Sequence, residues 1–210
     1  RSGRMLTADR MAAVDANAAA LGVPRKQLME SSGNAVARVV REQVDPDGRV
    51  VLVCGRGNNG GDAVVAARFL AAYATETVLL GEPDQIRTEI ARENWAALED
   101  AELPTTVASD TTDIEELALD AADCVVDAML GTGVTGALRE PEATAAQAIN
   151  AADTRIISVD VPSGIDADTG TAAGVAVDAD HVVTFHHTKP GPADPDTEGT
   201  VPQTRIPAVP

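Results

Sequence analysis

Short apolar runs alternate along this chain with longer stretches in which apolar residues recur every three or four positions. The runs at 50–54, 77–80, 124–128, 156–161 and 182–185 are rich in valine, leucine and isoleucine, the composition of strands covered on both faces. A weaker strand is expected at 105–108 and a last one at 204–209. Before and between them, helical spacing predicts helices over 6–20, 24–41, 61–73, 84–98, 113–119 and 140–151. In the second of these Leu28, Met29, Val36, Val39 and Val40 form the apolar face, and Pro24 can open the helix because the first amide needs no partner. Asp45-Pro46-Asp47-Gly48 and Gly81-Glu82-Pro83 are turns. Strand and helix alternating at this pitch predict an α/β fold, a three-layer α/β/α sandwich with a Rossmann-like, mostly parallel sheet and helices on both faces. One core of ordinary size accommodates all 210 residues, so 1–210 is expected to be a single domain. The stretch 191–200, with glycine, proline and acids but no apolar period, is expected to be a surface loop leading to the last strand.

Charge narrows the function classes. The chain carries 33 acidic and 16 basic residues, only two of them lysine, for a net charge of -17. A solvated negative surface of this size opposes nonspecific binding to nucleic acid or to acidic membranes, and salt screening would make it tolerable in a salt-adapted organism. No run approaches the roughly 20 apolar residues that cross a bilayer, and acids interrupt the alanine-rich opening where a signal peptide would be apolar, so a cytoplasmic protein is expected. Cys54 and Cys124 fall in predicted central strands without metal-ligand spacing and are read as buried, reduced thiols.

Three strand-to-helix junctions carry the oxygen-bearing side chains, and in a parallel sheet they gather along one edge. The first, Gly55 to Gly60, has the spacing G-x-G-x-x-G, in which glycines permit a tight turn and close approach to helix amides. Asp62 follows in what should be the first helical turn, where its charge caps amides and repels a close phosphate, favouring a cation or ribose hydroxyls over a simple dehydrogenase site. Asn58 and Asn59 are either turn residues in left-handed geometry or ligands, and the full Asn-Asn-Gly-Gly-Asp string favours ligands. At the second junction Asp127 ends a strand before a loop with Gly131, Gly133 and Gly136. A carboxylate there meets a cation or receives amide hydrogen bonds from the loop. Arg139, just beyond, either reaches a phosphate or is a solvated helix-start residue.

The third junction holds Asp160, rigid at a strand end, with Ser163 and Gly164 as oxygen ligands or donors and Asp166 and Asp168 shaping the next turn. Ser163 lacks the G-x-S-x-G setting and a clear histidine partner, which argues against serine hydrolysis. His181, His186 and His187 have no zinc spacing. His181 is read as structural, whereas His186 or His187 could border the pocket with Lys189. The mixed oxygen donors suit a monovalent cation better than magnesium, which demands an octahedron and phosphates.

The strings GRGNNGGD, VDAMLGTGVTG, SVDVPSGIDADTG and TFHHTKPG, together with LTADRMAAVD and LMESSG, closely resemble the NAD(P)HX epimerase family, also called the YjeF N-terminal domain family. The resemblance covers nearly the whole chain. It implies a Rossmann-type homodimer that interconverts the R and S forms of hydrated NADH or NADPH, feeding a companion dehydratase that takes one epimer. The 210 residues hold no dehydratase-sized region, so the resemblance implies either a stand-alone enzyme or the first domain of a longer one. An inactive nucleotide-sensing or protein-interaction module is the alternative. Carried over by motif, Asn58, Asn59, Gly60, Gly61 and Asp62 would line the substrate, Gly131, Thr132, Gly133, Val134, Thr135, Gly136 and Ala137 would wrap it, and Asp160 would contact the reacting ring as catalytic acid and base. Asn59, Asp127 and Ser163 would hold a potassium ion. The chain departs from the family at Ala63, usually glycine, which would narrow the pocket if its backbone needed positive φ, and at Arg56, often proline, which would add a phosphate contact.

Overall fold

The structure, a computed structural model, describes residues 24–185 and 203–206. The expected opening helix at 6–20, the loop at 191–200, and His186, His187 and Lys189 lie outside the described residues. Among the described residues seven strands form one parallel sheet in the order β3-β2-β1-β4-β5-β6-β7. They are β1 (Arg49–Cys54), β2 (Ala74–Leu80), β3 (Thr105–Ala108), β4 (Cys124–Ala128), β5 (Arg155–Val159), β6 (His181–Phe185) and β7 (Gln203–Ile206). The order reverses between β1 and β4, and the crevice above the carboxyl ends of such a pair is where open parallel sheets bind ligands.

Successive side chains of a strand point to opposite faces, and the core divides accordingly. On one face Leu52, Cys54, Leu79 and Val126 pack with α1 (Arg25–Gln43), α2 (Asn58–Phe69) and α3 (Glu89–Asp100) through Val36, Val40, Val64, Trp95 and Leu98. On the other face Val51, Val53, Val78 and Val125 pack with Ile114 of α4 (Thr111–Glu115) and Ala145, Ala146 and Ile149 of α5 (Glu142–Ala151). The expected three-layer α/β/α sandwich is the observed one.

The helices differ from their expected bounds by a few residues, α4 spanning Thr111–Glu115 rather than 113–119, and two differences bear on the site. α2 starts at Asn58 rather than residue 61, with Gly57 as its N-cap. Asn58 and Asn59 are therefore helical and not left-handed turn residues, and Asp62 lies in the second turn, beyond reach of the capping role expected for it. The helix expected at 84–98 divides into a 3₁₀ turn, Pro83–Gln85, and α3 from Glu89, because the Arg87 amide leaves the helical pattern to donate to Arg56 O at 2.8 Å.

The glycines of the first junction are required by packing. A Cβ on Gly55 would stand 1.8 Å from Met129 O, and one on Gly60 would stand 1.9 Å from Gly55 O, so α2 rests directly on the ends of β1 and β4. Gly60→Ala should cost about 1–3 kcal/mol through forced overpacking. Denaturant unfolding checks this, and a wild-type midpoint would show that α2 can move away freely.

Candidate functional site

A cavity of about 530 Å³ opens above the carboxyl ends of β1 and β4, at the reversal of strand order. Asn58, Asn59 and Asp62 of α2, the loop residues Gly131, Thr132, Gly133 and Val134 after β4, and Asp160 after β5 all line it. The three predicted junctions thus meet. Their convergence is tightest at Gly131, where an added Cβ would lie 3.4 Å from Asn59 Cβ and 3.5 Å from Asp160 Oδ2. Asn59 Nδ2 also donates to Leu130 O at 3.1 Å, which ties the start of α2 to the second loop. The first-turn amides of α2, from Asn58 to Gly60, have no helical carbonyl in front of them and give this end of the cavity a positive character.

Asp160 adopts φ +70°, a left-handed conformation that few side chains other than glycine, asparagine and aspartate accept. Its amide donates to Val183 O at 2.7 Å, so the turn is pinned to β6 while the side chain is held at the cavity wall. Strain of this kind, maintained by surrounding structure, concentrates at functional sites.

Asp127 stands one layer behind that wall. It is fully buried, and its carboxylate accepts four hydrogen bonds, from Met129 N at 3.2 Å, Ser158 Oγ at 2.7 Å, Ser163 N at 2.9 Å and Ser163 Oγ at 2.6 Å. Burial raises its pKa above the ordinary carboxylate value, and the hydrogen bonds from Ser163, Ser158 and Met129 oppose that rise. Ser163, also buried, accepts from Leu130 N at 3.0 Å and lies 3.4 Å from Leu130 O. Of the two roles weighed for Asp127, the structure shows it receiving hydrogen bonds from its own loop, and Ser163, which donates to it, links it through Leu130 to Asn59. The carboxylate of Asp127, the hydroxyl of Ser163 and the carbonyl of Leu130 are oxygen donors of the kind a monovalent cation accepts, whereas Asn59 turns its NH₂ toward Leu130 O. Among the described residues no group of three or more histidine, cysteine and acidic side chains could hold a metal.

Other expected site residues are not at the cavity. Gly60 and Gly61 are buried in packing, Gly61 beneath Met29, whose Cε would stand 2.8 Å from an added Cβ. Thr135, Gly136 and Ala137 are exposed beyond the wall, as is Arg139. Ala63 is helical and buried in the core, so it does not narrow the pocket. Asp166 accepts from the amides of Asp168 and Thr169 and shapes its turn as expected, which with the Thr169 hydroxyl holds its pKa below the usual carboxylate value. His181 bonds Thr204 Oγ1 at 2.7 Å within the sheet, in keeping with a structural role. Both cysteines are free and buried; burial pushes the Cys124 thiol up to about 12 and raises that of Cys54 as well.

Sequence reasoning missed the back and rim of the cavity. Arg25, Leu28, Ser31 and Ser32 of α1 line it, as do Arg87, Thr88 and Glu142, beside Arg56, for which a phosphate contact was expected. The excess of acids makes arginines at a strand end conspicuous, and that was the available signal.

Residues 25–191 match the family model described as YjeF-related protein N-terminus. The chain is 46% identical over 197 residues to the bifunctional NAD(P)H-hydrate repair enzyme Nnr of Methanothermobacter thermautotrophicus, covering 91% of this chain and 38% of that relative. It is 41% identical over 196 residues to the NAD(P)H-hydrate epimerase of Cenarchaeum symbiosum, covering 92% of this chain and 90% of that one. The chain thus spans well under half of the bifunctional relative and most of the shorter one. Among solved structures, the yeast protein ynu0 superposes with a TM-score of 0.77 at 26% identity, over 90% of this chain and 82% of the yeast chain.

Proposed function

The chain belongs to the family of YjeF-related protein N-termini, and on that footing we propose that it is an NAD(P)H-hydrate epimerase, interconverting the R and S forms of hydrated NADH and NADPH. The meeting of Asn59, Gly131 and Asp160 at one point of a 530 Å³ cavity carries the reading. A cavity of this size at the switch point suits the nicotinamide half of a dinucleotide. Asn58, Asn59, Asp62 and the loop from Gly131 to Val134 would hold the ring and its ribose, while Gly60 and Gly61 act by letting α2 sit close.

In the proposed reaction the Asp160 carboxyl protonates the ring hydroxyl, the carbon–oxygen bond breaks with its electron pair leaving in water, and the ring nitrogen shares the resulting positive charge. Water then adds to the opposite face and returns its proton to the carboxylate. No electron is gained or lost. Asn59, Asp127 and Ser163 would hold a potassium ion, which when bound supplies a positive charge that offsets the buried carboxylate.

The family resemblance supports a homodimer and a dehydratase as functional partner, fused or separate. A nicotinamide substrate and reduced, buried thiols support a cytoplasmic setting, and the charge of -17 supports a salt-adapted one. Among the described residues no helix is long and apolar enough to cross a membrane.

The deciding experiment starts from a hydrate mixture displaced from epimer equilibrium, with potassium present or replaced by tetramethylammonium at equal ionic strength. Faster relaxation with protein, greatest in potassium, is expected. Binding without faster relaxation would identify a sensing module instead.

A further inference from the structure

The dinucleotide reading leaves open which coenzyme is taken, and the charged rim of the cavity bears on that choice. In sheets of this strand order the adenosine ribose lies over the carboxyl end of β2. There an acidic side chain accepts from a free 2′-hydroxyl, or an arginine accommodates a 2′-phosphate. Glu82, two residues past β2, is the acid in position to do the former. It is engaged elsewhere: it accepts from Ser109 Oγ, caps the 3₁₀ turn at Pro83–Gln85, and does not line the cavity.

Two arginines occupy the place instead. Arg56 lies across the end of β2, where an added Cβ on Gly81 would stand 3.0 Å from Arg56 Cδ. Its guanidinium is oriented by Gln85 Oε1 at 3.0 Å and by the nearly buried Glu142 at 3.2 Å. The Arg87 amide donates to Arg56 O, so the loop bearing Arg87 is tied to the same spot. Arg87 is exposed at the cavity wall, and its guanidinium has no ion-pair partner among the described residues. Beside it Thr88 Oγ1 is buried without a hydrogen-bond partner on the same wall. A pair of guanidinium forks, one prearranged and one uncommitted, matches the geometry of a phosphate monoester.

We propose that Arg87, with Arg56 beside it, holds the 2′-phosphate of the phosphorylated coenzyme, so that the protein prefers NADPHX to NADHX. The oxidised coenzymes carry the same adenosine half and do not react, so calorimetric titration with NADP⁺ and NAD⁺ reads the preference directly. Wild-type protein should bind NADP⁺ roughly 10- to 100-fold more tightly, the span of one charge-assisted hydrogen-bonded contact. The preference should shrink as salt rises. Arg87→Ala, at an exposed position, should lose about tenfold of it with NAD⁺ affinity unchanged, and Arg87→Lys should recover only part, since lysine keeps the charge without the fork.

Equal affinity for the two coenzymes, binding of neither, or an Arg87→Ala variant weakened equally toward both would overturn the inference. Failure of the epimerase reading shows separately, as no accelerated relaxation of either hydrate.

Discussion

Asp160→Asn is expected to slow equilibration of the two hydrate epimers by roughly 10²- to 10⁴-fold, the usual worth of a positioned acid and base. The substitution isolates proton transfer with unusual clarity, because asparagine is among the few residues that share aspartate's tolerance of a left-handed backbone, here φ +70°. The amide bond to Val183 O, which fixes the turn, does not involve the side chain and survives. Asp160→Ala would confound the result by adding backbone strain of about 1 kcal/mol. Relaxation of a displaced mixture, followed by chiral-resolving chromatography, gives the rate, and denaturant unfolding verifies the fold. A wild-type rate in a normally folded Asp160→Asn protein removes this carboxylate from the chemistry and shifts the burden to solvent.

The same residue shows what the sequence could reveal. A carboxylate directly after an apolar run, followed by Val-Pro-Ser-Gly, marks a strand end at the edge where parallel sheets bind ligands, so the place of Asp160 at the cavity wall is legible in the sequence. β1 was equally legible, as five consecutive apolar residues buried on both faces leave no other use for the segment. The start of α2 was misread for a physical reason. Asn-Asn-Gly-Gly has the composition of a turn, yet Gly60 is there because Gly55 O approaches within contact of its missing side chain, a spatial fact with no local signature. Likewise the break between Pro83–Gln85 and α3 follows from the Arg87 bond to Arg56, residues 31 positions apart. The arginine-lined rim required knowing that β2 lies beside β1 and that the Arg87 amide is tied to Arg56 O.

Asp127 tests the layer behind the cavity, and Asp127→Ala should cost about 3 kcal/mol or more of folding stability. Its removal strands two serine hydroxyls and two amides that now donate to it, each buried away from water, and each unsatisfied group costs about 1–3 kcal/mol without simple additivity. The loss should reach the cavity as well, because Ser163 Oγ would no longer be fixed where it receives Leu130 N, and Leu130 O anchors Asn59. A raised KM should therefore accompany the lower unfolding midpoint. The pH dependence has a definite sign. Burial raises the native pKa of Asp127, so its contribution to stability is complete below the ordinary carboxylate pKa of about 3.8 and is lost as pH rises through the raised native value. Asp127→Asn carries no titrating group and should lose that decline. A bound potassium ion favours the ionised carboxylate and should oppose the decline in the wild type alone. Melting curves across this pH range, in potassium chloride and in tetramethylammonium chloride, separate the claims. A wild-type midpoint in Asp127→Ala refutes the network, whereas identical wild-type profiles in the two salts place potassium elsewhere.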